Sequence, residues 1–259
     1  MSVPDPPTDG RGPVPEAALP SPDMSWRPLY RGGSFSALVF VVLVLVPVSL
    51  LFVAPLPPTQ GGALLEYIAS NRAVYLTELI SFVGLAVPAL VVFLAVAVTL
   101  KGMDKNLAVI GGLFGIVSET IALALGSSPQ SLHGGLVVLS DAYQTADSDG
   151  QRAGLAAAAE SLIATTNAVS WAGILSAAAI LILSLAMLKG VYGRTVAVLG
   201  LVTGGLGIVM EALRPMMGPA YMIYGLLLPT WFALVGWRLH RISQQLSPFI
   251  ERPPDRLTI

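Results

Sequence analysis

Six apolar stretches dominate the chain, and each is long enough to form a membrane-spanning helix. A helix needs about 20 predominantly apolar residues to cross the roughly 30 Å hydrocarbon core of a bilayer. Of the 259 residues, 54% are hydrophobic and 11% are charged, whereas a soluble domain carries about 25% charged residues. The sequence therefore predicts an all-α, polytopic transmembrane helix bundle. The predicted spans are residues 35–54, 75–100, 106–126, 167–188, 195–213 and 219–239.

The segments outside these spans differ in kind. Residues 1–33 contain eight prolines, which predicts a disordered tail ahead of a membrane domain at 34–242. Residues 243–259 are predicted to form a second tail. Between the third and fourth spans, residues 129–166 predict an extracytoplasmic helical hairpin. Leucines recur there at helical spacing, and an alanine-rich stretch follows a turn at 147–150.

The distribution of Lys and Arg predicts the orientation. If the N-terminus is cytoplasmic, the two tails, the end of the sixth span at Arg238 and Arg241, and the short loops Lys101–Lys105 and Lys189–Arg194 hold 11 of the 14 basic residues. The outer segments hold 3. The positive-inside rule then predicts that both termini are cytoplasmic. The partner implied is the lipid bilayer. The net charge of −1 provides no basic field for a nucleic-acid partner.

Two pairs of glycines at four-residue spacing form small-residue faces. They are Gly111 and Gly115 in the third span, and Gly200 and Gly204 in the fifth. Such faces let helix backbones approach closely in a membrane. They predict tight helix packing and offer a route to a homo-oligomer.

A small group of charges is predicted to lie in the outer half of the membrane: Glu78, Glu119, Glu211 and Arg214. Glu119 is about 21 Å along its helix from Lys105, and an unpaired, charged acid at that depth costs at least about 2–3 kcal/mol. One interpretation is a proton- or cation-binding site that opens outward, with Glu119 at its centre. The other, which the sequence favours, is a structural network in which Arg214 pairs with Glu119 or Glu211, because the inner half lacks matching charges.

No catalytic, cofactor or metal site is predicted. The chain has no cysteine, and His133 and His240 are its only histidines. A zinc site needs several ligands at tight spacing, so His133 is interpreted as a surface group and His240 as a headgroup contact. Ser118 and the other serines lack a histidine and an acid at the spacing of a hydrolase triad.

Six residues in the stretch from the hairpin towards the fourth span carry a resemblance to a known family: Leu139, Ser140, Ala142, Tyr143, Gln151 and Arg152. With the six-span layout, this stretch resembles an uncharacterised family of bacterial and archaeal multi-pass membrane proteins, the domain of unknown function 4386. The resemblance implies a prokaryotic plasma-membrane protein, and it supplies no activity or site residues.

The leading hypothesis is a non-enzymatic membrane scaffold or interaction protein. The alternatives are a small transporter or channel that uses the outer acids, and an intramembrane enzyme.

Overall fold

The structure, a computed structural model, describes residues 22–50, 52–55, 57–125, 133–169, 172–217 and 220–245. The described residues are helical, with turns and short irregular links between the helices and no strand among them. A short 3₁₀ turn precedes the first α-helix. The α-helices are α1 (Arg27–Leu50), α2 (Gly61–Ser70), α3 (Arg72–Gly84), α4 (Ala86–Leu100), α5 (Lys105–Leu125), α6 (Gly134–Gln144), α7 (Asp149–Val169), α8 (Gly173–Met187), α9 (Arg194–Ala212), α10 (Arg214–Met217) and α11 (Tyr221–Gln245).

Five helical segments among the described residues are long and apolar enough to cross a membrane. The sequence predicts six. The difference is at residues 167–188, where the described apolar helix is α8, with 15 residues. At 1.5 Å per residue α8 is about 22 Å long, shorter than the hydrocarbon core. Residues 170–171, between α7 and α8, lie outside the described part of the chain. The five segments are Arg27–Leu50, Arg72–Leu100, Lys105–Ala124, Arg194–Ala212 and Tyr221–Gln244.

Three predicted boundaries need correction. Helix α1 begins at Arg27, so residues 27–33 are helical and do not belong to a disordered tail. The segment between the first two predicted spans, for which no helix is predicted, contains the helix α2, because its apolar residues have a core of their own to join. The second span begins at Arg72, earlier than predicted, and runs to Leu100 as α3 and α4, with Leu85 between them in a helical conformation. Residues 1–21 and 246–259 of the predicted tails, and residues 129–132 of the predicted hairpin, lie outside the described residues.

Six helices form a closed ring, in which each packs against two neighbours. The order around the ring is α1, α4, α5, α8, α9 and α11, and α11 returns to α1. Aromatic side chains fill its centre. Phe232 stacks on Phe40 with ring centroids 3.9 Å apart, and it meets Phe93 edge-on at 5.8 Å. The ring therefore encloses one continuous core.

Both predicted glycine faces pack within the chain. A Cβ added at Gly111 would lie 2.7 Å from Leu183 of α8, and one at Gly204 would lie 2.5 Å from the backbone nitrogen of Leu181. Gly115 and Gly200 meet Phe93 and Ser184 in the same way. The predicted close packing is therefore present, and these four glycines contact other helices of the same chain. The homo-oligomer through these faces stays a prediction.

The segments that carry most of the basic residues meet at one end of the ring, called the basic end here. The Lys189 Nζ lies 2.9 Å from a carboxylate oxygen of Asp104, and this hydrogen bond holds the pKa of Asp104 below its usual range. The Lys101 ammonium lies over the Trp26 ring, 5.1 Å from its centroid. The Arg27 Nε donates to the backbone oxygen of Ser243.

The opposite end of the ring carries α2, α6 and α7, called the cap here. These helices pack against one another around a separate core that includes Leu64, Ile68 and Leu136. The Tyr75 hydroxyl at the top of α3 bonds to both the backbone oxygen and the backbone nitrogen of His133. The hydroxyl of Ser140 donates to the backbone oxygen of Leu65, 2.6 Å away. The Ser140 bond joins two helices of the cap, whereas Tyr75 joins the cap to α3 both through its hydroxyl and as a member of the cap's apolar core.

Candidate functional site

A cavity of about 180 Å³ lies inside the ring, between the aromatic centre and the cap end. All six ring helices contribute to its wall, so its shape depends on the whole bundle. It is smaller than the 300–1,000 Å³ typical of drug-sized ligand sites and suits a small solute. The polar and aromatic side chains on its wall are Glu119, Ser176, Glu211, Arg214, Tyr221, Tyr224, Phe40, Phe82, Phe93 and Phe232.

Glu211 and Arg214 form a closed polar group with Tyr221. The Tyr221 hydroxyl donates to Glu211 Oε1 at 2.7 Å, and the Arg214 Nη2 donates to that hydroxyl at 2.7 Å. The Arg214 Nη2 also lies 3.4 Å from Glu211 Oε2. Gly173 permits this arrangement, since a Cβ there would lie 2.7 Å from the Glu211 carboxyl carbon. The charge of Glu211 is therefore balanced by Arg214.

Glu119 has a different set of partners. Its Oε1 lies 2.6 Å from Ser176 Oγ, which lies 2.8 Å from Ser118 Oγ. The Ser118 hydroxyl in turn reaches the backbone oxygen of Ala172, at 2.8 Å. Among the described residues Glu119 forms no ion pair, and the predicted pairing of Arg214 with Glu119 is not seen. The cavity therefore holds two carboxylates and one guanidinium.

Glu78 is separate from this group. It is buried on α3, with 7% of its surface exposed, but it does not line the cavity. It lies on the side of the cap, where its carboxylate adds to the effect of burial, the larger cause, in raising the pKa of Tyr67. The structure therefore brings together three of the four residues of the predicted network: Glu119, Glu211 and Arg214.

Two further cavity residues are set by the backbone of their helices. Leu85, the residue between α3 and α4, lines the wall, and its backbone angles are helical, so the helix continues through it. Leu228 also lines the wall and precedes Pro229, which lies inside α11 and removes one backbone donor from that helix.

Several residues of this site could not be identified from the sequence. Ser176 lies in an apolar helix and Gly173 at its start, and neither has a local signal of its own. Tyr221 and Tyr224 lie near the start of the last predicted span, where Tyr224 is 3% exposed and Tyr221 bonds Glu211. The spacing of Glu211, Arg214 and Tyr221 along the chain is a signal that could have identified this polar group.

His133 is placed by the structure at the start of α6. Its Nδ1 accepts a hydrogen bond from the backbone nitrogen of Gly135, at 2.9 Å, so it caps that helix. Within the described ranges, no three His, Asp or Glu side chains are grouped so that they could hold a metal ion.

Comparison with known proteins adds no relative: no family model, no curated protein and no solved structure matches the chain.

Proposed function

We propose that the protein is a small membrane transporter that binds a small cation in the cavity of the ring and exchanges it for a proton on Glu119. The observation that carries this proposal is the cavity itself, with two carboxylates and one guanidinium on its wall. Arg214 balances Glu211, so an ionised Glu119 leaves one negative charge for a ligand to balance. An unbalanced charge at this depth is unfavourable, and either a proton or a cation removes it.

Counting hydrogens supports a protonated Glu119 when the cavity holds no ligand. Three contacts link Glu119 through Ser176 and Ser118 to the oxygen of Ala172. Each contact needs one hydrogen, and the two serine hydroxyls supply two. With an ionised Glu119, the Ser176 hydroxyl donates to Glu119 and the Ser118 hydroxyl donates to Ala172, so the contact between the two serines has no hydrogen. A proton on Glu119 would supply the third hydrogen and free the Ser176 hydroxyl to donate to Ser118. The cavity is then neutral when empty, and it stays neutral when a cation replaces that proton.

The aromatic wall favours an organic cation over a metal ion. The face of an aromatic ring attracts cations that are weakly hydrated, and the site already shows this contact. The Arg214 guanidinium lies 5.0 Å from the centroid of the Tyr221 ring. Quaternary ammonium and alkylammonium ions have the size and the charge to fit between these rings and Glu119.

The proposal includes how the chain crosses the membrane. Helix α8 packs between α5 and α9, both of which are long enough to cross a bilayer. This placement supports a sixth span at about 167–188, to which the end of α7 contributes. With six spans, the basic end is cytoplasmic and carries both termini, and the cap with its hairpin of α6 and α7 is extracytoplasmic. A prokaryotic plasma membrane and membership of the domain of unknown function 4386 are parts of the proposal that rest on the sequence.

Proton release on cation binding tests the exchange directly. The purified protein in weakly buffered detergent solution is titrated with tetramethylammonium, and separately with sodium, in the presence of a pH-sensitive dye. We expect release of one proton per protein with tetramethylammonium. Glu119→Gln should abolish the release and weaken binding about tenfold or more, the equivalent of at least 1.4 kcal/mol. Glu66→Gln, which alters an exposed acid in the cap, is the matched control and should behave as the wild type.

Transport needs a second measurement, in proteoliposomes. A proton gradient should drive accumulation of labelled tetramethylammonium in vesicles with the wild-type protein and not in vesicles with Glu119→Gln. Binding with proton release but without flux would restrict the role to binding. No binding of either cation, with Glu119→Gln as stable as the wild type, would reject the proposal in favour of the scaffold hypothesis.

A further inference from the structure

A second cavity lies on the outside of the ring, far from the acids. It is a groove of about 700 Å³ between α1 and α11, at the basic end. The two helices touch closely at its floor, where a Cβ on Gly236 would meet Ala37. Its walls are formed mainly by exposed or half-buried side chains, so the groove faces whatever surrounds the bundle.

The groove is polar at one end and apolar along the rest of its length. Arg31, His240 and Gln244 lie at the basic end, and Phe35 and Leu38 lie further along α1. From Arg31 to Val41, the last groove residue on α1, the helix rises about 15 Å. That is half of a hydrocarbon core of about 30 Å, which is the depth that one lipid acyl chain occupies.

The polar end is positively charged without compensation. Neither α1 nor α11 contains an acidic residue. Arg241 stacks on Trp237, with the guanidinium carbon 4.0 Å from the ring centroid, so its charge is held beside the groove. Among the described residues, neither Arg31 nor Arg241 forms an ion pair. The ligand that matches this end is therefore an anion.

We infer that the groove between α1 and α11 is a binding site for one anionic phospholipid, with its phosphate at Arg31 and Arg241 and an acyl chain along Phe35 and Leu38. Basic residues beside a membrane-spanning helix attract anionic headgroups, and here an apolar channel of acyl-chain depth continues from them. A free phosphate ion would use the arginines and leave the channel empty. The groove has a charged end and an apolar channel, and a lipid has a headgroup and an acyl chain that match the two.

Native mass spectrometry of the delipidated full-length protein tests this inference. Phosphatidylglycerol and phosphatidylcholine with identical acyl chains are added separately, and the bound lipids are counted. We expect one phosphatidylglycerol to bind at least tenfold more tightly than phosphatidylcholine. The double variant Arg31→Gln/Arg241→Gln should lose this preference. Arg194→Gln, which removes an exposed charge on α9, is the matched control and should keep it.

A second variant separates the channel from the charges. Ala233→Trp places a large ring on an exposed groove position without changing any charge, and it should block the tight phosphatidylglycerol. Millimolar inorganic phosphate should leave the lipid bound. Equal binding of the two lipids, loss of preference in Arg194→Gln, or displacement by phosphate would each overturn the inference. Retention of the tight lipid by Ala233→Trp would place it elsewhere.

Discussion

The ring and the cap each bury an apolar core, but their outer surfaces differ. The ring has a cluster of aromatic side chains and its buried glycines inside. Other apolar side chains such as Phe35, Leu38 and Leu113 lie outside, where they are more than half exposed. The cap also has an apolar core, built on Leu64 and Leu136, but its outer surface is polar and alanine-rich. The ring is therefore suited to lipid and the cap to water.

The bonds that join the helices differ accordingly. In the ring, helices approach closely where glycines remove the side chain. In the cap, side chains reach across to backbone groups of distant segments, as Ser140 does to Leu65 and Tyr67 does to Pro55, at 2.6 Å and 2.9 Å. The polar cavity lies where these two kinds of packing meet. Substitutions in the two regions should therefore differ in how much they lower the stability of the fold and in how far the effect spreads.

The largest effect is expected from Gly204→Ala in the ring. The added Cβ would lie 2.5 Å from the backbone nitrogen of Leu181 and 2.7 Å from the backbone oxygen of Ala177. Backbone atoms of a packed helix cannot move aside, so α8 and α9 must separate. Overpacking of this kind costs about 1–3 kcal/mol, and we expect the upper half of that range. Thermal unfolding in detergent, followed by circular dichroism, measures it.

The neighbouring Gly205 provides the control for this substitution. No atom lies within 4 Å of a Cβ built there, so Gly205→Ala changes the same helix by the same methyl group without a clash. Alanine is the better helix former by about 1 kcal/mol, and we expect no loss of stability. If the two variants unfold at the same temperature, the close packing of α8 on α9 is not a source of stability.

A smaller and local effect is expected from Ser140→Ala in the cap. The substitution removes the hydrogen bond between α6 and the backbone oxygen of Leu65 in α2, and it should cost about 1 kcal/mol. Amide hydrogen exchange should increase in α2 and α6 and stay unchanged in α4 and α9. Ser70→Ala, which removes an exposed hydrogen bond within α2, is the control and should change amide hydrogen exchange less. An increase that spreads through the ring would show that the cap and the ring unfold together.

The sequence predicts the ring better than the cap for a physical reason. A bilayer demands long apolar helices, so the ring helices leave a strong signal in composition and five of them are found as expected. Helix α2 has ten residues and follows a stretch rich in proline, and its apolar side chains gain a partner only when α6 and α7 pack on it. Contacts between segments so far apart in the chain are not visible in local periodicity.

The same reasoning applies to the cavity. Distance along the helix predicts that Glu119 and Glu211 lie in the same half of the bundle, and the structure brings both to one cavity. Which acid pairs with Arg214 depends on how each helix is rotated about its axis. Local spacing favours Glu211, because Arg214 follows it by three residues. The separation of Glu78 could not be predicted, because it depends on how α3 packs against α1 and α2.

The smallest effect is expected at the ion pair on the surface of the cap, where Arg72 binds both carboxylate oxygens of Asp141. This contact holds the pKa of Asp141 below its ordinary value of 3.8. The pair therefore stabilises the fold at pH values above the ordinary pKa, and that stabilisation is lost as the pH falls through the lower pKa of the folded state. Both side chains are about half exposed, so solvent screens the interaction.

Asp141→Asn removes the carboxylate that titrates. The difference in stability between this variant and the wild type therefore reports the Arg72–Asp141 pair alone. We expect the variant to unfold at a slightly lower temperature than the wild type at pH 7, and the difference to shrink as the pH is lowered towards 3. Asp104, paired with Lys189 at the basic end, also loses its interaction in acid, but it does so equally in both proteins and cancels in the comparison. Asp147→Asn alters an exposed acid in the turn before α7 and should match the wild type throughout. A difference that persists undiminished at pH 3 would show that Asp141 acts through packing and not through its charge, which would remove the main electrostatic distinction between the cap and the ring.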